Sequence, residues 1–252
     1  MNKAIFITAR LGSSRLPNKH LLKIKDKYCI EYIIERVKRS VKAQTIVLCT
    51  TILNEDLELC NIAQNYGIEI YQGSVLDKLD RWHGAAKYFN IDFFVTADAD
   101  DLFCEPELID LAFSQYENNQ ADFIEWDQSE LVCGAFTYGI KVEALERVCN
   151  IKKTDDTEMM WVYFTKNLFH IENLKEIPEI FKRPEIRATL DYIEDYMFFK
   201  NIIEHFGNNN FSLRDVIIYL DKNPDVIKIN QFRNIDWANN QLKKIKESGD
   251  VQ

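Results

Sequence analysis

An α/β fold, with a mostly parallel sheet and helices on both faces, is what this chain predicts, and three observations carry that expectation. Short apolar runs alternate with segments of helical periodicity through about residue 118. The run Thr-Ile-Val-Leu-Cys-Thr, 45–50, is β-branched and apolar throughout, as a parallel strand covered on both faces is. Polar loops then follow the ends of successive runs, at 9–19, 50–51, 72–74 and 98–101, and an open parallel sheet lines such loops along one edge, where ligands sit.

Taken in order, residues 4–8 form the first expected strand. Apolar positions 30, 33, 34 and 37 within 30–40 have helical spacing. After the strand at 45–50, Asn54 is expected to cap a helix that Gly67 ends. Residues 68–71 make a third strand, Gly73-Ser74 breaks the chain, and a helix is expected from 75 to 88. The fourth strand, 92–96, ends in Ala-Asp-Ala-Asp-Asp, and Pro106 opens the next helix. Beyond 120 the alternation loosens. Strands are expected at 121–126, 135–142 and 187–190, and helices at 142–148, 158–164 and 196–205, with 168–180 mixed. Ser212 caps a helix over 213–220 that Asn223-Pro224 stops, and a polar helix closes the chain at 236–248. With no repeat and no Pro/Gly/Ser-rich linker, 1–252 reads as a single domain.

Composition narrows the function classes. The 252 residues are 46% hydrophobic, enough for a proper core, and carry a net charge of −9. Bulk electrostatic binding of nucleic acid is therefore not expected. No apolar run approaches the roughly 18 residues of a membrane span, and the N-terminal apolar stretch is too short for a signal peptide. Six cysteines without a Cys-x-x-Cys pair read as reduced core residues of a cytoplasmic protein.

Chemistry concentrates in three places. The loop after the first strand holds Arg10, Arg15 and Lys19 with Gly12, Ser13 and Ser14, followed by a stiffening Pro17. Gly12 permits close backbone approach, and cations with backbone N–H groups make an anion cradle suited to a polyphosphate. It is neither a Walker A loop nor a dinucleotide fingerprint, and a solvated basic loop is the competing reading. The second place is Val-Thr-Ala-Asp-Ala-Asp-Asp, 95–101, whose carboxylates suit Mg²⁺ or, alternatively, an Asp-rich turn. The third is Asp191, after a β-like run, with Glu194-Asp195; a helix cap is the rival there. Together, a phosphate cradle and two carboxylate sites are what metal-assisted nucleotidyl transfer needs.

The loop Ala-Arg-Leu-Gly-Ser-Ser-Arg-Leu-Pro-Asn-Lys, 9–19, resembles the signature of the cytidylyltransferases that activate acidic sugars, the CMP-Kdo and CMP-sialic acid synthetases, and most of all their SpsF-like spore-coat branch. Gln72-Gly73-Ser74 with Asp77, Leu79 and Arg81, Asp100 six residues before Pro106, and Arg187-Ala188-Thr189-Leu190-Asp191 extend the resemblance over about 4–118 and 185–230. It implies a Rossmann-like, nucleotide-diphospho-sugar-transferase-type fold, with 120–184 as a substrate and dimer subregion of a homodimer. It implies Mg²⁺-dependent transfer of CMP from CTP to a 3-deoxy-ulosonic or nonulosonic acid, with pyrophosphate leaving, for surface polysaccharide biosynthesis. The implied nucleotide site is Ala9, Arg10, Leu11, Gly12, Ser13, Arg15, Lys19, Gln72, Gly73, Ser74 and Asp98. Lys19, Arg10 and Asp100 would be catalytic, Asp100 and Asp191 would hold the metal, and Arg81 and Arg187 would meet the substrate. Aligned from Thr96 the first metal ligand is Asp98; aligned from Pro106 it is Asp100, which is preferred. Asn18 stands where the pattern has glycine. Two alternatives remain: a glycosyltransferase using Asp98-x-Asp100, and an inactive nucleotide-binding relative.

Overall fold

The computed structural model describes residues 1–127 and 129–247. Among these, a seven-stranded sheet is built from β1 (Lys3–Thr8), β4 (Thr45–Thr51), β5 (Glu69–Gly73), β6 (Phe93–Asp98), β7 (Phe123–Glu125), β8 (Gly139–Lys141) and β9 (Ile171–Asn173). Its order is β5-β4-β1-β6-β8-β7-β9. β5, β4, β1 and β6 are mutually parallel, β8 runs antiparallel to both β6 and β7, and β9 returns parallel to β7. A small hairpin, β2 (Lys23–Ile24) with β3 (Lys27–Tyr28), follows the first loop.

Helices α1 (Cys29–Val37), α2 (Leu57–Asn65), α3 (Lys78–Tyr88), α4 (Pro106–Asn119) and α5 (Val142–Ile151) cover the sheet. α6 (Ile193–Phe206), α7 (Leu213–Lys222), α8 (Pro224–Ile227) and α9 (Arg233–Glu247) complete the chain. Side chains on a strand alternate between faces, so each parallel strand feeds two cores. In β1, Ile5 and Ile7 join the core under α1, α4, α6 and α7, while Ala4 and Phe6 join the one under α3 and α5. Aromatics fill both: Phe6 stacks on Phe94 at 4.3 Å, and Phe93 stacks on Tyr116 at 3.8 Å on the other side. The two-sided burial accounts for the apolar-throughout strands.

Local chemistry moves several boundaries. α3 starts at Lys78 rather than 75, because the Asp77 carboxylate accepts the Asp80 N–H at 3.0 Å and caps it there. Asn54 begins a 3₁₀ turn, and α2 follows from Leu57. Pro224 ends one helix but opens α8, since proline suits a first helical turn. The stretch 187–190 is not a strand: it makes one isolated bridge, Arg187 to Cys133. The helix expected at 158–164 is a single 3₁₀ turn, Met160–Tyr163. The terminal helix starts at Arg233, and Ser248 lies outside the described residues. No cysteine is in a disulfide. No helix among the described residues is long and apolar enough to cross a membrane.

This topology positions a site. β1 lies between β4 and β6, with Thr8 in register with Cys49 on one side and Asp98 on the other. Connections leaving β1 and β6 at their carboxyl ends diverge, and the crevice that opens there is where such sheets bind ligands.

Candidate active site

The cleft is assembled from that strand edge. As the chain leaves β1, the Leu11 N–H donates to Asp56 at 2.8 Å, and Asp56 also accepts the Thr51 hydroxyl. This buried carboxylate ties the loop to the end of β4 and explains why Leu11 itself faces inward. Asn18 adopts φ 53°, in the left-handed region. Asparagine tolerates that conformation better than other residues with a Cβ, so the turn that glycine would make is preserved. A 3₁₀ turn, Lys19–Leu21, then directs the Lys19 ammonium into the crevice.

Lys19 is the hub. Its Nζ lies 2.5 Å from Asp100 and 2.9 Å from Asp191, and Arg15 reaches the same Asp191 oxygen at 2.5 Å. Burial opposes charge on Lys19, but Asp100 and Asp191 outweigh it and raise its pKa. The same balance, with Lys19 first and Arg15 next against burial, holds Asp191 below the usual carboxylate range. Asp100 is likewise lowered against burial, mainly by Lys19. The hub is therefore an ammonium between two ionised carboxylates.

One strand end and one irregular segment bring those carboxylates together. Asp100 follows β6, and its carbonyl accepts the Leu190 N–H at 2.9 Å, which seats Asp191 opposite. Behind it lies a fully buried anchor. Asp195 accepts the Asp191 and Tyr192 N–H groups, each at 2.9 Å, the Arg187 guanidinium at 2.9 Å and the Asn230 amide at 2.9 Å. Arg187 is 0% exposed and does not line the cleft. The sequence reading placed it against substrate; in the structure it faces Asp195, because an arginine fork buried away from water needs a carboxylate.

The remaining expected residues divide. Ala9, Arg10, Gly12, Ser13, Arg15, Lys19, Arg81, Asp98, Asp100 and Asp191 line the cleft. Gln72, Gly73 and Ser74 do not: Gln72 donates to the Thr51 carbonyl, and the Ser74 carbonyl accepts from Arg81 at 2.6 Å. They shape the turn that carries Val75, Leu76 and Lys78 to the wall instead. Arg10 donates to the Val75 carbonyl and pairs with Glu158 at 3.1 Å. Lys78 pairs with Asp98 at 3.0 Å. His20 is buried, and desolvation followed by the Lys19 charge pushes it down to about 4, so it is neutral near pH 7. Arg183 pairs with Glu185 and Asp221 outside the cleft.

Asp98, Asp100 and Asp101 place carboxylate oxygens within 4.8 Å of one another, an all-oxygen set of the hardness Mg²⁺ takes. Burial, then the charges of Asp100 and Asp98, push Asp101 well above the usual carboxylate range. Gly134 completes this wall: at φ 87° it lies so close that a Cβ would meet the Ala188 carbonyl at 2.3 Å and Asp101 at 2.9 Å. Sequence reasoning missed Gly134, Glu158, Trp237, Gln241 and Lys244, all of which line the cleft. They come from irregular segments or the last helix, with no periodic pattern pointing at the strand edge.

The sequence model of the cytidylyltransferase family matches residues 4–206, the span that contains β1 through α6. The chain belongs to the cytidylyltransferase family. The chain is 34% identical to the uncharacterized protein MJ1063 of Methanocaldococcus jannaschii, covering 89% of this chain and 92% of that one. It is 27% identical to the spore coat polysaccharide biosynthesis protein SpsF of Bacillus subtilis (89% and 97%). It is 26% identical to the 3-deoxy-manno-octulosonate cytidylyltransferase of Chloroherpeton thalassium (82% and 77%). A solved cytidylyltransferase from Leptospira borgpetersenii superposes with a TM-score of 0.82 at 28% identity, covering 90% of this chain and 97% of that one. The cytidylyltransferase fold and the Rossmann-like sheet expected from the sequence are thus the ones observed.

Proposed function

We propose that this enzyme transfers the cytidylyl group of CTP to a hydroxyl of an acidic sugar, releasing pyrophosphate, in the assembly of a surface polysaccharide. The observation that carries the reading is Lys19, held between Asp100 and Asp191 beneath the Arg10–Arg15 loop. A cation poised by two carboxylates beside further guanidinium groups is a preorganised cradle for a triphosphate. Arg10, Arg15 and Lys19 neutralise the phosphates, with Ser13 and the Gly12 backbone in close approach. Charge building on the departing pyrophosphate is stabilised by the same three cations. Asp100 and Asp191 are the proposed Mg²⁺ ligands, with Asp98 and Asp101 beside Asp100. Bound there, Mg²⁺ would neutralise and orient the triphosphate. Arg81, buried on α3 with its guanidinium on the Ser74 carbonyl, is the proposed substrate contact, and Arg187 acts through Asp195 to fix Asp191.

The acidic-sugar assignment rests on the matching motifs and on the activities for which relatives are named, such as that of the Chloroherpeton thalassium enzyme. Pyrophosphate release, followed with Mg²⁺, each nucleoside triphosphate in turn and a panel of 3-deoxy-ulosonic and nonulosonic acids, tests it. CTP-dependent release with one of the acids, abolished by EDTA and restored by Mg²⁺, is expected. Release with a different nucleotide and none with CTP would overturn the cytidylyl assignment.

A further inference from the structure

The last helix of the chain is turned the wrong way round for an ordinary packing element. A helix lying on a protein normally buries an apolar stripe and exposes polar residues. On α9, Ile235 and Leu242 are exposed at 69% and 57%, and Phe232 just before it at 53%. The face with helical spacing that meets the protein is Arg233, Trp237, Asn240, Gln241 and Lys244.

That polar face spans the cleft. At one end Arg233 pairs with Glu194 at 2.9 Å, and the Asn240 amide donates to the Tyr192 hydroxyl at 2.9 Å, next to Asp191. At the other, Lys244 pairs with Glu158, the residue that also holds Arg10. Between the two ends, Trp237 and Gln241 line the cleft directly. The Gln241 side-chain carbonyl is buried and has no hydrogen-bond partner among the described residues, an unsatisfied acceptor on a residue of the cleft wall. Glu158 serves two cations with a single carboxylate, so Lys244 is a cation that an incoming anion can take over without stripping Arg10 of its partner.

We propose that this face of α9 reads the acceptor: Lys244 pairs with the acceptor's carboxylate, Gln241 accepts from one of its hydroxyls, and Trp237 packs against its ring. The inference rests on the cytidylyl-transfer reading for the identity of the other substrate. Two facts assign the helix to the acceptor rather than to CTP. The proposed triphosphate cations all lie on the loop after β1, inside the family match, whereas α9 lies beyond residue 206. An acidic acceptor also needs a cation that the triphosphate has not claimed, and Lys244 is one.

Isothermal titration of the panel of sugar acids, and of neutral counterparts lacking the carboxylate, into protein preloaded with Mg²⁺ and an α,β-methylene analogue of CTP, which cannot release pyrophosphate, tests this without turnover. Wild-type protein should bind an acid from the panel and reject its neutral counterpart. Lys244→Ala should weaken that acid at least about tenfold, with CTP affinity within twofold of wild type, and Lys244→Arg should restore most of the loss. Gln241→Leu should weaken the acid by a smaller factor, again without changing CTP. If Lys244→Ala binds the acid as wild type does, or if both substrates weaken equally, the assignment of α9 is overturned. It is also overturned if wild-type protein binds no acid of the panel. Acid binding that depends on Lys244, with no pyrophosphate released when CTP replaces the analogue, would uphold the role of α9 and reject the proposed reaction.

Discussion

The two banks of the cleft are built by different means. One bank is the carboxyl edge of the parallel strands: the loop after β1, the turn after β5 and the acids after β6. The other is made of the connecting segments at 133–138, 158–161 and 189–191 together with α9, stabilised by side-chain networks rather than by a strand ladder. On the first bank the backbone positions the chemistry. On the second, buried ion pairs do, so the same kind of substitution should damage the two banks in different ways.

The sharpest way to break that contrast is at Arg187. Arg187→Met leaves Asp195 buried without its guanidinium, and losing one member of a buried pair costs about 3–5 kcal/mol. A urea titration should show that loss. A variant as stable as wild type would mean that the second bank is not held by this pair. On the first bank, Lys19→Met should act on the reaction as well as on stability, since it also strips two carboxylates of their cation. Removing one preorganised charge from a site of this kind lowers kcat by about 10²–10³-fold. Single-turnover rates decide it, and a variant within threefold of wild type would remove Lys19 from the mechanism.

His20, on the first bank, ties the contrast to pH. Its folded pKa is depressed to about 4 by burial and by Lys19, so the folded state binds fewer protons than the unfolded state. Its contribution is fully present above about pH 6.5 and is lost as pH falls toward 4, by at most roughly 3 kcal/mol. Between pH 7 and pH 5, in EDTA, the Tm of His20→Gln should therefore fall less steeply than that of wild type. Parallel curves would count against this account. The smallest effect should lie away from both banks. Ser212 accepts the Asp215 N–H and caps α7, so Ser212→Ala should cost about 1 kcal/mol with unchanged kinetics. A kinetic change there would show that the banks are coupled to α7.

The first bank was largely legible in the sequence. Strands at 4–8, 45–50, 68–71 and 92–96 were each expected within two residues of their observed bounds: β1, β4 and β6 are apolar along their length because both faces are covered, and the edge strand β5 is bracketed by Gly67 and Gly73. The anion loop was visible for a related reason: Arg10, Gly12, Ser13, Arg15 and Lys19 fall within one short segment at a strand end. The second bank was not. Short strands such as β9 and the irregular path through 187–190 have no period to read, and their shape comes from partners distant in sequence.

The sequence by itself determined the layered α/β architecture, the edge at which the loops gather and the residues most able to hold a polyphosphate, since these follow from periodicity and from side-chain chemistry at known places along the chain. Only the tertiary structure decided which of them work together. It joined Lys19 to Asp100 and Asp191, withdrew Arg187 behind Asp195, and laid α9 across the cleft. The reason is physical: buried charges must find partners wherever the fold brings them, and residues 19 and 191 share no local pattern that could announce their meeting.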